Sequence, residues 1–171
     1  HRATLYEHSR HYAEQIATAS AIGRALSTTL EIQAVYEQLA QGVLQLLPDI
    51  AGIYISTYDN QKRLVNYVYG QQDGELLDLQ QVKPIPLDSP SAGSQSEVIR
   101  TRQPLITNDL QVRRRQMHTA VLFNAPASNA QSGIYVPMLA KDEIMGVLYV
   151  QSYVVDRFTA SDGELLALVA N

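Results

Sequence analysis

The sequence predicts an α+β domain: a central antiparallel sheet of five or six strands, N- and C-terminal helices on one face, and an irregular lid region on the other. Three observations carry this. The stretch Ser132–Ser152 holds two apolar, β-branched runs, Ile134–Leu139 and Ile144–Val150, around a polar Lys141-Asp142-Glu143. It reads as a hairpin too hydrophobic to face water on both sides. Helix-favouring segments bracket the chain, and the strand-like runs between them are short, joined mostly by turn residues, so that they do not alternate with long helices.

In order, Arg2 to Leu30 is rich in Ala, Glu, Gln, Leu and Arg, and no proline interrupts it. Ser9, Tyr12, Ile16, Ala19, Gly23, Leu26 and Leu30 recur at alternating spacings of three and four, the coiled-coil period. An amphipathic helix resting on its own domain and a parallel dimer helix both fit. Thr28-Thr29-Leu30-Glu31 is a capping-box pattern that starts a second helix, running to about Leu47 before Pro48. Its stripe of Ile32, Val35, Tyr36, Leu39, Val43, Leu46 and Leu47 reads as core.

Ala51–Tyr58 and Leu64–Tyr69 read as strands, with Ile53 and Ile55 on one face and Tyr54 and Tyr58 on the other. Val82–Leu87, with Pro84 and Pro86, reads as an edge strand, Gln95–Arg102 as a short helix, and Leu105–Thr107 as a brief strand. Leu110 to Gln131 has no clean period and is expected to be a lid or binding loop. Proline normally avoids a central strand, so Pro137 is expected at a bulge or on an unpaired side. A last helix opens with Ser161 and Glu164 as its capping box and buries Leu165, Leu166, Leu168 and Val169.

The bulk chemistry excludes several roles. With 46% hydrophobic and 18% charged residues, the chain has the material for a core. A net charge of −4 without a basic stripe argues against binding nucleic acid. No apolar run is long enough to span a membrane, so no membrane contact is expected of this segment. The absence of cysteine excludes disulfides, thiolate metal sites and thioether attachment of a chromophore, and fits a reducing, cytoplasmic compartment. There is no phosphate loop, nucleophile elbow or zinc pattern, so no catalysis is expected. His8 and His11 lie three apart on a helix without a third ligand nearby and read as solvated. Because His1 starts abruptly and Asn171 stops inside a helical run, the chain reads as a piece of a longer protein.

Ordered motifs run from Gly93–Val98 through Arg102-Gln103-Pro104-Leu105-Ile106 and Asp109 to Val136-Pro137-Met138-Leu139, Ile144-Met145-Gly146-Val147-Leu148, Phe158 and Asp162. Together they resemble the GAF domain, the small-molecule sensor module of cyclic-nucleotide phosphodiesterases, phytochromes and many bacterial histidine kinases and diguanylate cyclases. Val147–Tyr153 is similar to GAF domains of multidomain bacterial sensors. The resemblance covers about Ile22 to the end, which divides the chain into a connector or dimerisation helix, 1–30, and a sensor domain, 22–171. Gln151-Ser152 stand where cyclic-nucleotide-binding members carry Asn-Lys, and Gly163 replaces a Glu, so cyclic-nucleotide binding does not carry over. The missing cysteine argues against a covalent bilin, and the cofactor stays unknown.

Candidate ligand-binding residues follow from chemistry and position. Tyr54, Tyr58, Tyr67, Tyr69, Tyr135, Tyr149 and Tyr153 lie on or beside predicted strands in a chain without tryptophan. A tyrosine-rich sheet face suits a planar or amphipathic molecule, and equally suits cross-strand pairing. Arg113–Arg115 offer guanidinium forks to an anion or form a solvated loop. Tyr54, Tyr67, Tyr69, Asp109, Arg115, Met117, His118, Phe123 and Tyr135 are the expected ligand contacts. In the family, an acid at Asp109 more often caps backbone N–H groups than touches ligand. The resemblance implies a regulatory sensor coupled to a kinase or cyclase output domain in the same chain, and the Ser9–Leu30 spacing separately predicts a homodimer through the terminal helices. A ligand-free dimerisation and spacer module is the alternative.

Overall fold

The computed structural model describes residues 2–89, 93–117 and 129–171, with the side chains of residues 2, 3, 116 and 117 left aside. They form two compact units, His1–Gln38 and Leu39–Asn171.

One helix, α1 (Arg2–Leu46), runs through the first unit into the second, where two helices were expected. The Thr28 and Thr29 hydroxyls do not cap a new helix. They donate back to the carbonyls of Arg24 and Ala25 at 3.0 Å each, the bond these residues make inside a helix. Gly23 costs this helix about 1 kcal/mol against alanine, which is too little to break it. The expected core stripe is core only at its end. Ala40, Val43 and Leu47 are buried, while Ile32, Val35 and Leu46 are exposed.

The second unit is built on one antiparallel sheet. Its strands are β1 (Gly52–Asp59), β2 (Leu64–Gln72), β3 (Glu75–Leu76), β4 (Ile85–Pro86), β5 (Leu105–Thr107), β6 (Ser132–Ala140) and β7 (Glu143–Ser152). The order is β3-β2-β1-β7-β6-β5, with the two-residue β4 also on β2. The hairpin β6–β7 therefore reaches the sheet's centre. Its register runs unbroken through Pro137, which pairs with Val147, and the expected bulge falls later, between Met138 and Leu139. Pairing with β5 begins only at Tyr135, so Pro137 lies past the end of that strand.

Alternation divides the sheet into two faces. Ile53, Ile55, Ile134, Val136, Leu148 and Val150 face one way, all fully buried. Here lie α4 (Ala160–Ala170), whose Gly163 sits above the Ile134 Cδ1 atom, and the last turns of α1. The terminal helices share this face, as expected. The capping box of α4 is Thr159 with Asp162, two residues ahead of the expected Ser161 and Glu164. The Asp162 carboxylate accepts from the Thr159 N–H at 2.9 Å while the Thr159 hydroxyl accepts from the Asp162 N–H. Starting there, the helix buries Leu166 but turns Leu165 and Leu168 outward, against expectation.

The opposite face carries Tyr54, Val65, Tyr135, Val147 and Tyr149 under Val98 and Ile99 of α2 (Gly93–Thr101) and Leu110 of α3 (Leu110–Met117). The first part of the expected irregular lid is therefore a helix. The Leu110 N–H donates to the Gln131 carbonyl at 2.7 Å, and the Asp109 carboxylate accepts from the Val112 N–H at 3.2 Å. Three successive arginines hide the amphipathic period that would have announced it. Residues 118–128 of the expected lid lie outside the described residues.

Gly146 pairs with Thr57 where β7 crosses β1, and a Cβ there would press into the Ser56 carbonyl. Gly146→Ala is expected to destabilise the domain by about 1–3 kcal/mol as overpacking against backbone, measured as a lower urea midpoint with an unchanged slope.

Candidate functional site

The site begins with strand register. Tyr135 of β6 pairs with Tyr149 of β7, which pairs with Tyr54 of β1, which pairs with Gly70 of β2. Three rings thus fall in one cross-strand row. Tyr135 and Tyr149 stack at 4.1 Å with an interplanar angle of 2°, and Tyr149 and Tyr54 stack at 5.7 Å. Tyr67 meets Tyr54 edge-on at 6.4 Å. Glycines make room for the rings. A Cβ at Gly133 would lie 2.8 Å from Tyr149 Cε2, and one at Gly70 3.3 Å from Tyr54 Cδ1.

Every phenol of this row is buried and finds polar company, as a buried hydroxyl requires. Tyr54 donates to Gln72 Oε1, and Gln72 Nε2 donates to the Tyr153 hydroxyl at 2.9 Å. Tyr153 in turn donates to the Asp73 carboxylate at 2.9 Å. Tyr67 accepts from Gln95 Nε2 at 3.3 Å, and Ser56 donates to Gln95 Oε1 at 2.7 Å. Ser94 and Tyr149 lie close enough to bear on the Tyr135 phenol, Ser94 drawing its pKa down and Tyr149 pushing it up. The Tyr149 oxygen receives Gln151 Nε2 at 3.1 Å, and the Arg114 cation lies near enough to act on it. From α3, Arg113 donates to Ser94 Oγ at 2.9 Å and pairs with Glu97. Gln151 Oε1, in a residue 1% exposed, finds no hydrogen-bond partner among the described residues.

Burial holds the Tyr54, Tyr67, Tyr135 and Tyr149 phenols above the ordinary tyrosine range. At Tyr149 the Arg114 cation works against that rise and does not cancel it. The face is therefore a neutral, hydrogen-bonding floor with cationic side chains above it.

Of the expected contacts, the structure brings together Tyr54, Tyr67 and Tyr135. A bulge between Ile55 and Ser56 leaves Tyr67 opposite Ser56 but Tyr69 opposite Ile55, which puts Tyr69 on the helix-covered face. Asp109 is exposed and caps α3. Arg115 is exposed too, because at helical spacing Leu110, Arg113 and Arg114 share the inward side. Met117 ends α3, and its side chain, like His118 and Phe123, lies outside the described residues. Tyr149 and Arg114 are weighed from the sequence but left out of the expected contacts, and Ser94, Gln95, Gln72 and Gln151 are not proposed as contacts at all. The Leu110 anchor, counted forward by three and four, is the signal that points to Arg113 and Arg114. Among the described residues no group of His, Asp and Glu is placed to hold a metal ion, and no helix is long and apolar enough to cross a membrane.

A family model described as GAF domain matches residues 29–171. The chain belongs to the GAF domain family. No curated protein matches it. Among solved structures, this GAF domain resembles a type II free methionine-R-sulfoxide reductase from Thermoplasma acidophilum at 15% identity, covering 81% of this chain and 88% of that one, with a TM-score of 0.61. It also resembles the GAF domain of an Acinetobacter phosphoenolpyruvate-protein phosphotransferase at 13% identity, covering 82% and 88%, with a TM-score of 0.59. The second GAF domain of DevS from Mycobacterium smegmatis matches at 17% identity, covering 81% and 87%, with a TM-score of 0.58. At these identities the likeness is one of fold.

The raised phenols predict a pH dependence. Their folded-state pKa values lie above the unfolded value of about 10, so the unfolded chain releases protons that the folded GAF domain keeps. Stability is thus fully present below about pH 10 and falls as pH rises beyond it. Tyrosinate absorbance is expected to show the buried phenols ionising only together with unfolding; their early titration in the folded protein would contradict this.

Proposed function

We propose that this chain is a regulatory, small-molecule-sensing GAF domain of a bacterial signal-transduction protein. The observation that carries the reading is the sheet's division of labour. One face is a buried, tyrosine-rich and hydrogen-bonding floor under α2 and α3; the other carries α4 and the last turns of α1. A ligand that repositions α3 over the floor would disturb strands whose reverse side supports both terminal helices, and a shift of packed helices is a known means of switching. The output module in this reading is a kinase or cyclase of the same polypeptide, in the cytoplasm.

The fold is shared with proteins named as methionine sulfoxide reductases. Reduction of a sulfoxide by protein thiols ends in a disulfide, and this chain has no cysteine. We therefore read it as non-catalytic. The expected ligand contacts are Tyr54, Tyr67, Tyr135 and, added by geometry, Tyr149, Arg114 and Gln151.

One observation favours the alternative of a ligand-free spacer module: the tyrosine rings already stack on one another. Differential scanning fluorimetry of the whole chain against nucleotides, tetrapyrroles and small aromatic acids separates the two. A sensor is expected to gain several degrees with at least one class, since ligand binding to the native state alone stabilises it. A flat response to all classes supports the spacer.

Homodimerisation through α1 is the second proposal. Tyr12, Ile16, Leu26 and Leu30 lie at coiled-coil spacing and are each at least half exposed. A helix of this length normally depends on packing of an apolar face. Sedimentation velocity at tens of micromolar is expected to give a dimer, and Leu26→Glu with Leu30→Glu a monomer. A monomeric mass for the unaltered chain would end the proposal.

A further inference from the structure

Gly23 sits in the middle of α1, where nothing in its own chain asks for glycine. Its φ is not positive, and a Cβ built on it would meet nothing within 4 Å. Alanine there would serve the helix better. A second copy of the chain supplies the missing reason, because a bare backbone lets another group approach closely. The rest of the seam fits this. Leu5, Tyr12, Ile16, Leu26 and Leu30 are each at least half exposed, and Ser9, Ala19 and Gly23 interrupt them with small side chains.

Charge does not choose the direction of pairing. Glu7, Arg10, Glu14 and Arg24 all lie away from the seam, with Arg10 and Glu14 paired to each other at 3.4 Å. The positions that flank the seam, where ion pairs ordinarily set the orientation of a coiled coil, hold no Asp, Glu, Lys or Arg between Leu5 and Leu30. Packing therefore decides. A parallel pair sets each seam residue against its own copy, so that Ser9, Ala19 and Gly23 face themselves. Ala19 and Gly23 would then leave neighbouring layers unfilled, which close-packed interfaces penalise.

One antiparallel register removes every such void. In it Leu5 meets Leu30, Ser9 meets Leu26, Tyr12 meets Gly23 and Ile16 meets Ala19, so each small residue of the seam faces a large one. Sliding one copy by a heptad either way brings small residues together again, Ser9 on Ala19 or Ala19 on Gly23. In the favoured register Arg2 of one copy lies opposite Gln33 of the other, and the paired stretch stays within the first unit, His1–Gln38. We propose that the Leu5–Leu30 face of α1 takes a second copy of the same helix in antiparallel orientation, the Tyr12 ring of each copy lying over Gly23 of the other. This rests on the homodimer reading and fixes its direction and register.

The chain has no cysteine, so Glu7→Cys, Thr18→Cys and Thr28→Cys, made one at a time at exposed positions off the seam, each accept a single spin label. Antiparallel pairing separates the two Glu7 labels, and likewise the two Thr28 labels, by about 30 Å along the axis and brings the Thr18 labels level. Double electron–electron resonance on the whole chain is expected to give long distances at Glu7 and Thr28 and a short one at Thr18, whereas a parallel pair gives three similar distances. Sedimentation equilibrium supplies the second readout. Gly23→Leu is expected to weaken the dimer about tenfold or more by crowding Tyr12, although leucine favours helix, and Tyr12→Ala in the same chain to restore it. In a parallel pair that leucine would fill a void and tighten the dimer. Three similar distances, or a Gly23→Leu dimer as tight as the unaltered one, overturn the proposal and leave dimerisation standing. A monomer at every label position removes both.

Discussion

Strand register is the constraint on which the rest of this domain depends. Side chains alternate across a sheet, so a slip of one residue between β1 and β7 would exchange the faces of Ile53, Tyr54 and Ile55. The helices would then meet phenols, and α3 would meet isoleucine. Two devices oppose such a slip. Gly146 fits only where β7 crosses the Ser56 carbonyl, and Gly133 and Gly70 lie where the tyrosine rings need space. The row of rings is thus a result of pairing rather than a separate motif.

Burying so many hydroxyls in one face carries an obligation. Each phenol withdrawn from water loses hydrogen bonds that the protein must replace, and an unsatisfied group inside costs about 1–3 kcal/mol. The glutamines and serines of the face meet that need: Gln72, Gln95, Gln151, Ser56 and Ser94 are all buried and all directed at tyrosines or at one another's partners. Polar networks of this kind favour one arrangement over near neighbours. The opposite face needs less of this, since apart from Tyr69 and Gln71 it presents mainly isoleucines, valines and leucines, which pack by shape.

Much of this was legible beforehand because it follows from short-range patterning. The hairpin announced itself through β-branched runs, the edge strands through proline, and Tyr54 and Tyr58 through simple alternation. The failures have physical causes. Thr28 followed by Glu31 is a capping box only when the chain turns before it, and nothing in α1 makes it turn. Ser161 and Glu164 lost to Thr159 and Asp162 because Asp162 reaches back to the Thr159 N–H. Tyr69 was grouped with the other strand tyrosines without a face being assigned, and one extra residue in β2 sets it on the opposite side from Tyr67's partner Ser56. Arg115 was chosen from a run in which only helical geometry distinguishes the inward guanidinium from the outward one. Gln151 had been noticed as a departure from a family pattern, not as a buried acceptor, since burial is a tertiary fact.

The chain of hydrogen bonds from Asp73 to Tyr54 has an additional meaning. A carboxylate accepts and never donates, so the Tyr153 hydroxyl must give its proton outward to Asp73. Its oxygen then receives the Gln72 NH2, which leaves the Gln72 carbonyl pointing inward at Tyr54. A single negative charge at the β2–β3 turn thereby sets the direction of every donor in the relay. The amide that overlooks Gly52 behaves like a compass needle, read in the core and magnetised at the surface.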